Sequence, residues 1–453
     1  MDTLAEGVDP RYWHNSNYRQ PDKNVVFLLI QGESIATNKW IVNGNYTYLK
    51  LAQLYGADVF QLEHRCFGFS RPYPDLTFDH LKVCNMDQAL EDIHQFIQKM
   101  NTEFNYTSPK WVTFGGSYPG ALSALFRMIY PQDTVGAVAS SAPMLWTLDF
   151  FQYAQVVNFV LQDTDTTGAC SKATNDAFTQ MQQWSLSNDG RNQLNNIFKP
   201  KPPFKDDSVT QLDVDNFFSN IFGVFQDTIQ YTYDGRDSAT MGGLGASGLC
   251  NIMTDTSVES LPQRVMNVYN WYNQFKNNST PGVDNSYSSM MVDLSNTTYD
   301  ASTDNAAGRG WMWLCCNELG VLQTTDQGRN VFQQIIPLNY FVDMCTQMFD
   351  SSVNIKYIRD RNDKTLAKYG GIEGYKATNV VLPNGMYDPW HVLGIYNADL
   401  NNHVTPVKVD KAGHCSDMYP KYAGEPAGLD TARDTINREV AYFIGATYKP
   451  LTY

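Results

Sequence analysis

The sequence predicts an α/β protein with a mainly parallel, doubly wound sheet that is interrupted by a large, mostly helical insertion. In the first third of the chain, apolar runs typical of buried strands alternate with amphipathic helical segments. The same alternation returns near the end of the chain, whereas the segment between them shows helical periodicity and polar stretches. We therefore predict a discontinuous sheet domain, residues 1–147 and 349–453, around a helical cap at residues 148–348.

Runs of branched and aromatic residues mark the strands. After a polar start at 11–14, strands are expected at 24–30, 57–62, 111–114, 135–140, 379–382 and 404–409. Apolar residues at helical spacing predict helices of the sheet domain at 46–55, 85–100 and 429–444, and another that begins near residue 118. Within the cap the same spacing predicts helices at 150–161, 173–184, 214–231 and 262–275, with polar surface stretches at 233–248 and 277–303.

The composition is that of a folded, acidic protein. Of the 453 residues, 43% are hydrophobic and 18% are charged, which is enough apolar material for a full core and a second domain. The formal net charge is -14 and no basic patch stands out, which argues against nucleic acid as a partner. No apolar run has the length of a membrane span, and no phosphate-binding loop, metal-ligand cluster or calcium loop occurs, so we predict no cofactor and no metal.

Cysteines and glycosylation sequons indicate an oxidising compartment. The chain has eight cysteines, an even number without the paired spacing of a structural zinc site, and we expect four disulfides. Five N-glycosylation sequons begin at Asn45, Asn105, Asn277, Asn278 and Asn296. The amino terminus lacks the pattern of a signal peptide. We therefore expect a processed or truncated form of a secreted or lysosomal protein.

The segment WVTFGGSYPG at 111–120 contains the strongest chemical signal of the chain. An apolar strand ends in Gly115 and Gly116, and a helix follows, so Ser117 is placed on a sharp corner where its hydroxyl is exposed. The pattern departs from G-x-S-x-G at one position, where Pro119 replaces the last glycine. Proline is tolerated in a first helical turn, but its ring fills space that glycine leaves empty.

A nucleophilic serine needs a histidine base and a carboxylate that orients it. In α/β-hydrolases these follow in the order Ser, Asp, His, on loops after late strands. Asp388 comes just after the strand at 379–382, and His414 just after the strand at 404–409, so we predict a Ser117, Asp388, His414 triad. The oxyanion donors are expected at Tyr118, which opens the helix, and at the turn of Gly32 and Glu33 after the first strand.

Two other histidines follow Asp388 and are alternatives for the base. His391 lies too close to Asp388 in the same loop, and His403 precedes its strand and is expected at the opposite sheet edge. His414 is therefore preferred. Activity at mildly acid pH would require His414 to stay neutral below its ordinary pKa of about 6.5.

With these residues in place, the chain resembles the S28 serine peptidases over most of its length. The most specific blocks are 60–72 (FQLEHRCFGFSRP), 114–118 (FGGSY), 309–318 (RGWMWLCCNE), 384–390 (NGMYDPW) and 414–418 (HCSDM). The resemblance implies an α/β-hydrolase fold with a helical cap, and exopeptidase action on short peptides after proline or a small residue. It also implies disulfides Cys170–Cys250 and Cys316–Cys345, which leaves Cys66–Cys84 and Cys315–Cys415 as the remaining pairs.

The same resemblance implies a substrate pocket lined in part by Ala121, Val321, Trp390 and Glu318. Ala121 and Val321 are small, so a wider pocket and a less strict preference for proline are expected. The resemblance does not distinguish a carboxypeptidase from a dipeptidyl peptidase. Peptides are the expected substrates, and a homodimer or larger homo-assembly is compatible with the aromatic cap helices.

Two other functions are compatible with these residues. A catalytically weak or inactive relative with a structural, binding or self-assembly role is one, because Pro119 alters the serine corner. An esterase or lipase on the same fold is the other.

Overall fold

A computed structural model of the chain describes residues 10–205, 208–233, 244–278, 282–299 and 305–453. Its centre is a seven-stranded sheet with the order β1-β3-β2-β4-β5-β6-β7. The strands are β1 Tyr12–Asn15, β2 Val25–Ile30, β3 Asp58–Leu62, β4 Lys110–Gly116, β5 Gly136–Ser140, β6 Val380–Gly385 and β7 Val404–Val409. All neighbouring pairs are parallel except β1 with β3, which is antiparallel. Six of these strands were predicted.

Strand β1 is not predicted by the sequence, because residues 11–14 show only the pattern of a polar start. It adds to the edge of the sheet with Tyr12 opposite Leu62. His14 stacks on Phe60 and lies 2.6 Å from the buried carboxylate of Asp58. Cross-strand contacts therefore stabilise a segment whose own sequence is weakly patterned.

Helices cover both faces of the sheet. They are α1 Lys39–Val42, α2 Thr47–Tyr55, α3 Phe78–Leu81, α4 Met86–Glu103, α5 Tyr118–Ile129, α6 Gln152–Thr164, α7 Ala169–Ser185, α8 Asn188–Phe198, α9 Gln211–Gln230, α10 Ala246–Met253, α11 Leu261–Phe275, α12 Tyr287–Leu294, α13 Asn305–Leu314, α14 Leu338–Met348, α15 Ile355–Tyr369, α16 Gly371–Gly374 and α17 Gly428–Phe443. All predicted helices are present within a few residues of their expected bounds. Helix α12 lies in a stretch that was expected to be polar surface.

The alternation of side chains along β2 explains why this strand is buried on both faces. Val26, Leu28 and Ile30 belong to one apolar core, which continues into the helices between β5 and β6. Val25 and Phe27, like Leu29, belong to a second core under α2 and α17. A parallel sheet covered on both faces needs such continuous apolar strands.

Among the described residues only helices and loops lie between β5 and β6. The helical run begins near the predicted boundary at 148 but continues through α15 and α16 before the sheet resumes. The division at 148–348 therefore stays a prediction. Within the described ranges, no helix combines the length and apolarity needed to cross a bilayer.

Three of the four expected disulfides are present: Cys66–Cys84, Cys170–Cys250 and Cys316–Cys345. The fourth prediction is wrong, because Cys315 and Cys415 are both free and buried. Cys415 has a left-handed backbone and its sulfur lies beside Gly116. Cys315 is the first residue of a single π-helical turn at 315–319, which lies between β5 and β6 along the chain. The two thiols are thus held by separate elements rather than joined.

All five predicted glycosylation asparagines are exposed, namely Asn45, Asn105, Asn277, Asn278 and Asn296. Ser279 and Thr280, which complete two of the sequons, lie outside the described residues. Exposure is required for modification but does not show it, so glycosylation stays a prediction.

Candidate active site

Ser117 occupies a sharp turn between β4 and α5 at the carboxyl edge of the sheet. Its backbone has φ 66° and ψ -135°, a conformation that is strained for a residue with a side chain. The turn requires Gly115, since a Cβ there would lie 2.1 Å from the carbonyl oxygen of Pro119. The Ser117 amide donates to the carbonyl of Ser140 at 2.9 Å, which anchors the corner to β5. With the strand order above, this corner identifies the fold as that of an α/β-hydrolase.

Asp388 and His414 meet at the same edge of the sheet. Asp388 follows β6 and His414 follows β7, and parallel neighbouring strands bring their following loops together. The Nδ1 of His414 lies 2.7 Å from Oδ2 of Asp388, and both side chains are buried. The other oxygen, Oδ1, accepts from the amide of Trp390 at 2.9 Å. This pairing assigns the proton to Nδ1 and leaves Nε2 available to a nucleophile.

The two alternative histidines take other positions. His391 directs Nδ1 to the backbone carbonyl of Asp388 at 2.6 Å and does not contact its carboxylate. His403 lies at the start of β7, where it pairs with Glu439 at 3.0 Å and stacks on Tyr442. Of the three candidates, only His414 has its ring against the carboxylate of Asp388.

Ser117 and His414 line one cavity of about 250 Å³. No hydrogen bond joins their side chains among the described residues, and such bonds are often long in ligand-free enzymes. The rest of the lining consists of Leu29, Ile30, Gln31, Glu33, Trp40, Gly116, Pro119, Tyr231, Cys415, Met418 and Tyr419. The predicted nucleophile and base therefore line the same cavity, which a substrate could enter.

The turn predicted to hold an oxyanion lies against the start of α5. Gly32 is buried, and a Cβ on it would lie 2.5 Å from Cγ of Pro119 and 3.9 Å from the ring of Tyr118. Tyr118 is the first residue of α5, so its amide is one of the helix donors that have no intrahelical partner. Its hydroxyl contacts Nε2 of His64 at 3.0 Å, which fixes the ring in the core.

The Glu33 side chain is partly buried, and burial raises the pKa of this carboxyl. Its neighbours include His414, whose charge acts in the opposite direction. For His414 itself, burial lowers the pKa, but the charge and hydrogen bond of Asp388 outweigh this, and the pKa lies well above 6.5. The neutral base that a serine nucleophile needs is thus favoured by higher pH.

The four residues predicted for the substrate pocket are all buried, and none lines this cavity: Ala121, Val321, Trp390 and Glu318. Trp390 packs 5.2 Å from the ring of Phe150 and 6.4 Å from that of Trp311. Glu318 accepts from the amide of Met86 at 2.8 Å, where it caps the start of α4, and burial raises its pKa to about 7. Val321 has φ 49°, which is strained for a branched residue.

Sequence reasoning missed Gln230, the last residue of α9. Its carbonyl accepts from the amide of His414 at 2.7 Å. Its side-chain Oε1 accepts from Trp390 Nε1 at 2.9 Å and from the hydroxyl of Tyr153 at 2.6 Å. One cap residue therefore connects the histidine loop to the aspartate loop. Nothing in its local sequence distinguishes it, because the contacts form only when α9 packs on the sheet edge.

Comparison with known proteins places these observations in a family. A family model described as serine carboxypeptidase S28 matches residues 6–436. The Caenorhabditis elegans protein F56F10.1 is 46% identical over 437 residues, which cover 96% of this chain and 80% of that protein. The human thymus-specific serine protease is 28% identical, with 95% and 82% of the two chains covered. The human lysosomal Pro-X carboxypeptidase is 24% identical, with 90% and 79% covered.

Proposed function

We propose that this chain, which belongs to the serine carboxypeptidase S28 family, is a serine exopeptidase that cleaves short peptides at prolyl or small-residue bonds. The observation that carries the proposal is the buried contact of 2.7 Å between His414 and Asp388, in a cavity that Ser117 also lines. A carboxylate that holds Nδ1 of a histidine, beside a serine on a strained corner, is the arrangement that activates a hydroxyl for acyl transfer.

In the proposed reaction, Nε2 of His414 takes the hydroxyl proton of Ser117 while its Oγ attacks the scissile carbonyl carbon. Asp388 keeps the other nitrogen protonated and stabilises the imidazolium. The carbonyl oxygen becomes negative and accepts from the amides of Tyr118 and of the turn at Gly32 and Glu33. His414 then gives its proton to the leaving amine, and water hydrolyses the acyl-enzyme by the reverse sequence.

A lysosomal or extracellular location is proposed on two grounds. Three disulfides require an oxidising compartment during folding. One relative is named as a lysosomal enzyme. The preference for proline rests on that relative's name and on the resemblance of the pocket residues.

Labelling with a fluorophosphonate probe tests the nucleophile directly. We expect mass spectrometry to find one adduct, on Ser117, which is absent in Ser117→Ala and retained in Ser34→Ala, an exposed serine in the neighbouring turn. Incubation with a proline-containing peptide, with both product ends identified, then gives the bond that is cleaved. A folded protein that takes no label would contradict the proposal and favour the inactive relative.

A further inference from the structure

Strand β5 lies between the strand that leads into Ser117 and the strand that leads into Asp388. Its last residue, Ser140, and the next residue, Ser141, are both buried. The Ser140 carbonyl accepts from the Ser117 amide at 2.9 Å. The Ser141 amide donates to the carbonyl of Pro383 in β6 at 2.7 Å. The backbone of these two serines therefore connects the nucleophile corner to the strand that carries the aspartate loop.

The side chains of the same two serines contact the third loop, which carries His414. The hydroxyl of Ser141 accepts from the amide of Cys415, the residue directly after His414, at 2.9 Å. The hydroxyl of Ser140 donates to Oδ2 of Asp417 at 2.5 Å. All five of these residues are buried. One dipeptide thus contacts the nucleophile corner, the aspartate strand and the histidine loop.

Three residues joined by these contacts have a left-handed backbone, although each has a side chain. The angle φ is 66° at Ser117, 45° at Ser141 and 57° at Cys415. Such a backbone is costly for residues with a Cβ, and it persists where the surroundings fix it. The amides of Ser117 and Cys415 are each bound by one of the two serines. These hydrogen bonds therefore stabilise two strained turns that line the same cavity.

Asp417 is a second buried carboxylate on the histidine loop, separate from the predicted triad. Its backbone carbonyl accepts from the hydroxyl of Thr47 in α2 at 2.5 Å. Burial raises the pKa of Asp417 to about 6, and the hydrogen bond from Ser140 and the charge of Arg433 act in the opposite direction. Asp417 is not among the described residues that line the cavity of Ser117. It can therefore affect a reaction there only through the residues that it contacts.

The loops of the nucleophile and the base are not neighbours in the sheet. Ser117 follows β4 and His414 follows β7, and these two strands are separated by β5 and β6. Ladder hydrogen bonds therefore do not fix one loop directly against the other. Proton transfer needs the two side chains within hydrogen-bond reach, and a displacement of about 1 Å can lower a rate about a hundredfold.

We infer that Ser140, Ser141 and Asp417 are positioning residues that keep the Ser117 hydroxyl and the His414 ring in place for proton transfer. This inference rests on the proposed function, because it concerns the geometry of the same reaction. The end of β5 is then a common anchor for two loops that the sheet itself leaves apart. The three residues contribute to the rate of acyl transfer and not to the binding of substrate.

The test compares Asp417→Ala with Asp417→Asn by the rate of fluorophosphonate labelling at Ser117. We expect Asp417→Ala to lower the maximal labelling rate about tenfold to a hundredfold and to leave the half-saturating probe concentration unchanged. Asp417→Asn keeps an oxygen that accepts from Ser140, so it should restore most of the rate. The kcat for a cleaved peptide should fall in parallel, with KM unchanged. An unchanged rate in Asp417→Ala, or an equal loss in both variants, would overturn the inference.

Two further variants separate positioning from general destabilisation. Ser141→Ala removes the acceptor of the Cys415 amide but keeps the same left-handed backbone cost, and it should also lower the maximal rate. Asp133→Ala is the matched control, since Asp133 is buried, accepts from Gln98 at 2.9 Å and precedes β5 at its other end. It should lower stability in urea without changing the labelling rate. If Asp417→Ala does not fold, Ser141→Ala decides the outcome.

Failure of this inference can be distinguished from failure of the proposed function. A parent protein whose Ser117 is not labelled overturns both. A labelled parent whose folded variants at 141 and 417 react at the parental rate overturns only the inference. An equal loss of rate in Asp133→Ala and Asp417→Ala also overturns only the inference, because the loss would then follow from lower stability.

Discussion

Gly32 lies directly against the ring of Pro119. A Cβ on residue 32 would be 2.5 Å from Cγ and 2.8 Å from Cδ of the proline, closer than nonbonded carbon atoms approach. The proline that replaces the usual elbow glycine is therefore accommodated by a glycine on the facing turn. The serine corner and the predicted oxyanion turn therefore pack directly against each other. The ring of Pro119 fills the space that a side chain at residue 32 would need.

This contact predicts that Gly32→Ala is destabilising and that Pro119→Gly relieves the effect. The single change at 32 should lower the free energy of unfolding by about 1–3 kcal/mol, the usual cost of overpacking. Because Gly32 does not need a left-handed backbone, the cost comes from the clash alone. Urea unfolding of both single variants and the double variant measures the coupling. Additive effects would contradict the contact.

Asp388→Asn tests the orientation of the base. Asparagine can present an N–H where His414 needs an acceptor, so the imidazole is expected to take the wrong tautomer. We expect kcat to fall by about 10⁴-fold, as in serine proteases with the same exchange, with little change in KM. Asp363→Asn, an exposed aspartate on α15, is the control. A loss below about tenfold would show that Asp388 does not orient the base.

The raised pKa of His414 predicts that activity increases with pH. Protonated His414 cannot accept the serine proton, and its pKa lies well above 6.5, so kcat/KM should rise through neutral pH. Asp388→Asn should shift the midpoint to lower pH, because it removes the charge that raises this pKa. Residual activity measured between about pH 4 and 9 gives the profile. A maximum on the acid side would contradict the prediction and require a different state of the pair.

The pair of His414 and Asp388 also contributes to the stability of the fold, and this contribution depends on pH. Since the folded pKa of His414 is above the unfolded value, its contribution is fully present below about pH 6.5. It is lost as pH rises through the folded pKa. The enzyme is thus expected to be most active where this pair stabilises it least.

Gln230 is expected to hold the cap on the active-site loops. Gln230→Met keeps the volume and the backbone carbonyl but leaves the indole N–H of Trp390 and the hydroxyl of Tyr153 without their acceptor. We expect a loss of about 1–3 kcal/mol in the free energy of unfolding. Gln274→Met, at an exposed position of α11, should change it little. Equal stability of the two variants would show that water replaces the lost acceptor.

The free thiols give a chemical test of the cysteine pairing. Alkylation of the unreduced, denatured protein should modify two cysteines, Cys315 and Cys415. Peptide mapping should recover the three disulfides as linked peptides. A linked peptide that contains both Cys315 and Cys415 would contradict the presence of two free thiols.

Much of the sheet and the predicted triad could be derived from the sequence, because both depend on local chemistry. Strand β2 is apolar at every position because both of its faces are buried, and this continuous apolar run is visible in the sequence. The corner at Ser117 needs Gly115 beside it, and Asp388 and His414 each follow a strand. Their order along the chain, together with parallel pairing, is enough to bring them to one edge.

What the sequence could not provide are the distances between residues that are remote along the chain. The free state of Cys315 and Cys415, the pairing of β1 with β3, and the contact of Gly32 with Pro119 all depend on how separate elements pack. The same is true of Gln230 beside His414 and of Glu33 in the cavity that His414 also lines. Periodicity and turn chemistry act over a few residues, so they determine elements and their edges. The shape and charge of the cavity arise only when side chains from the cap and the sheet occupy the same space, and tertiary packing decides them.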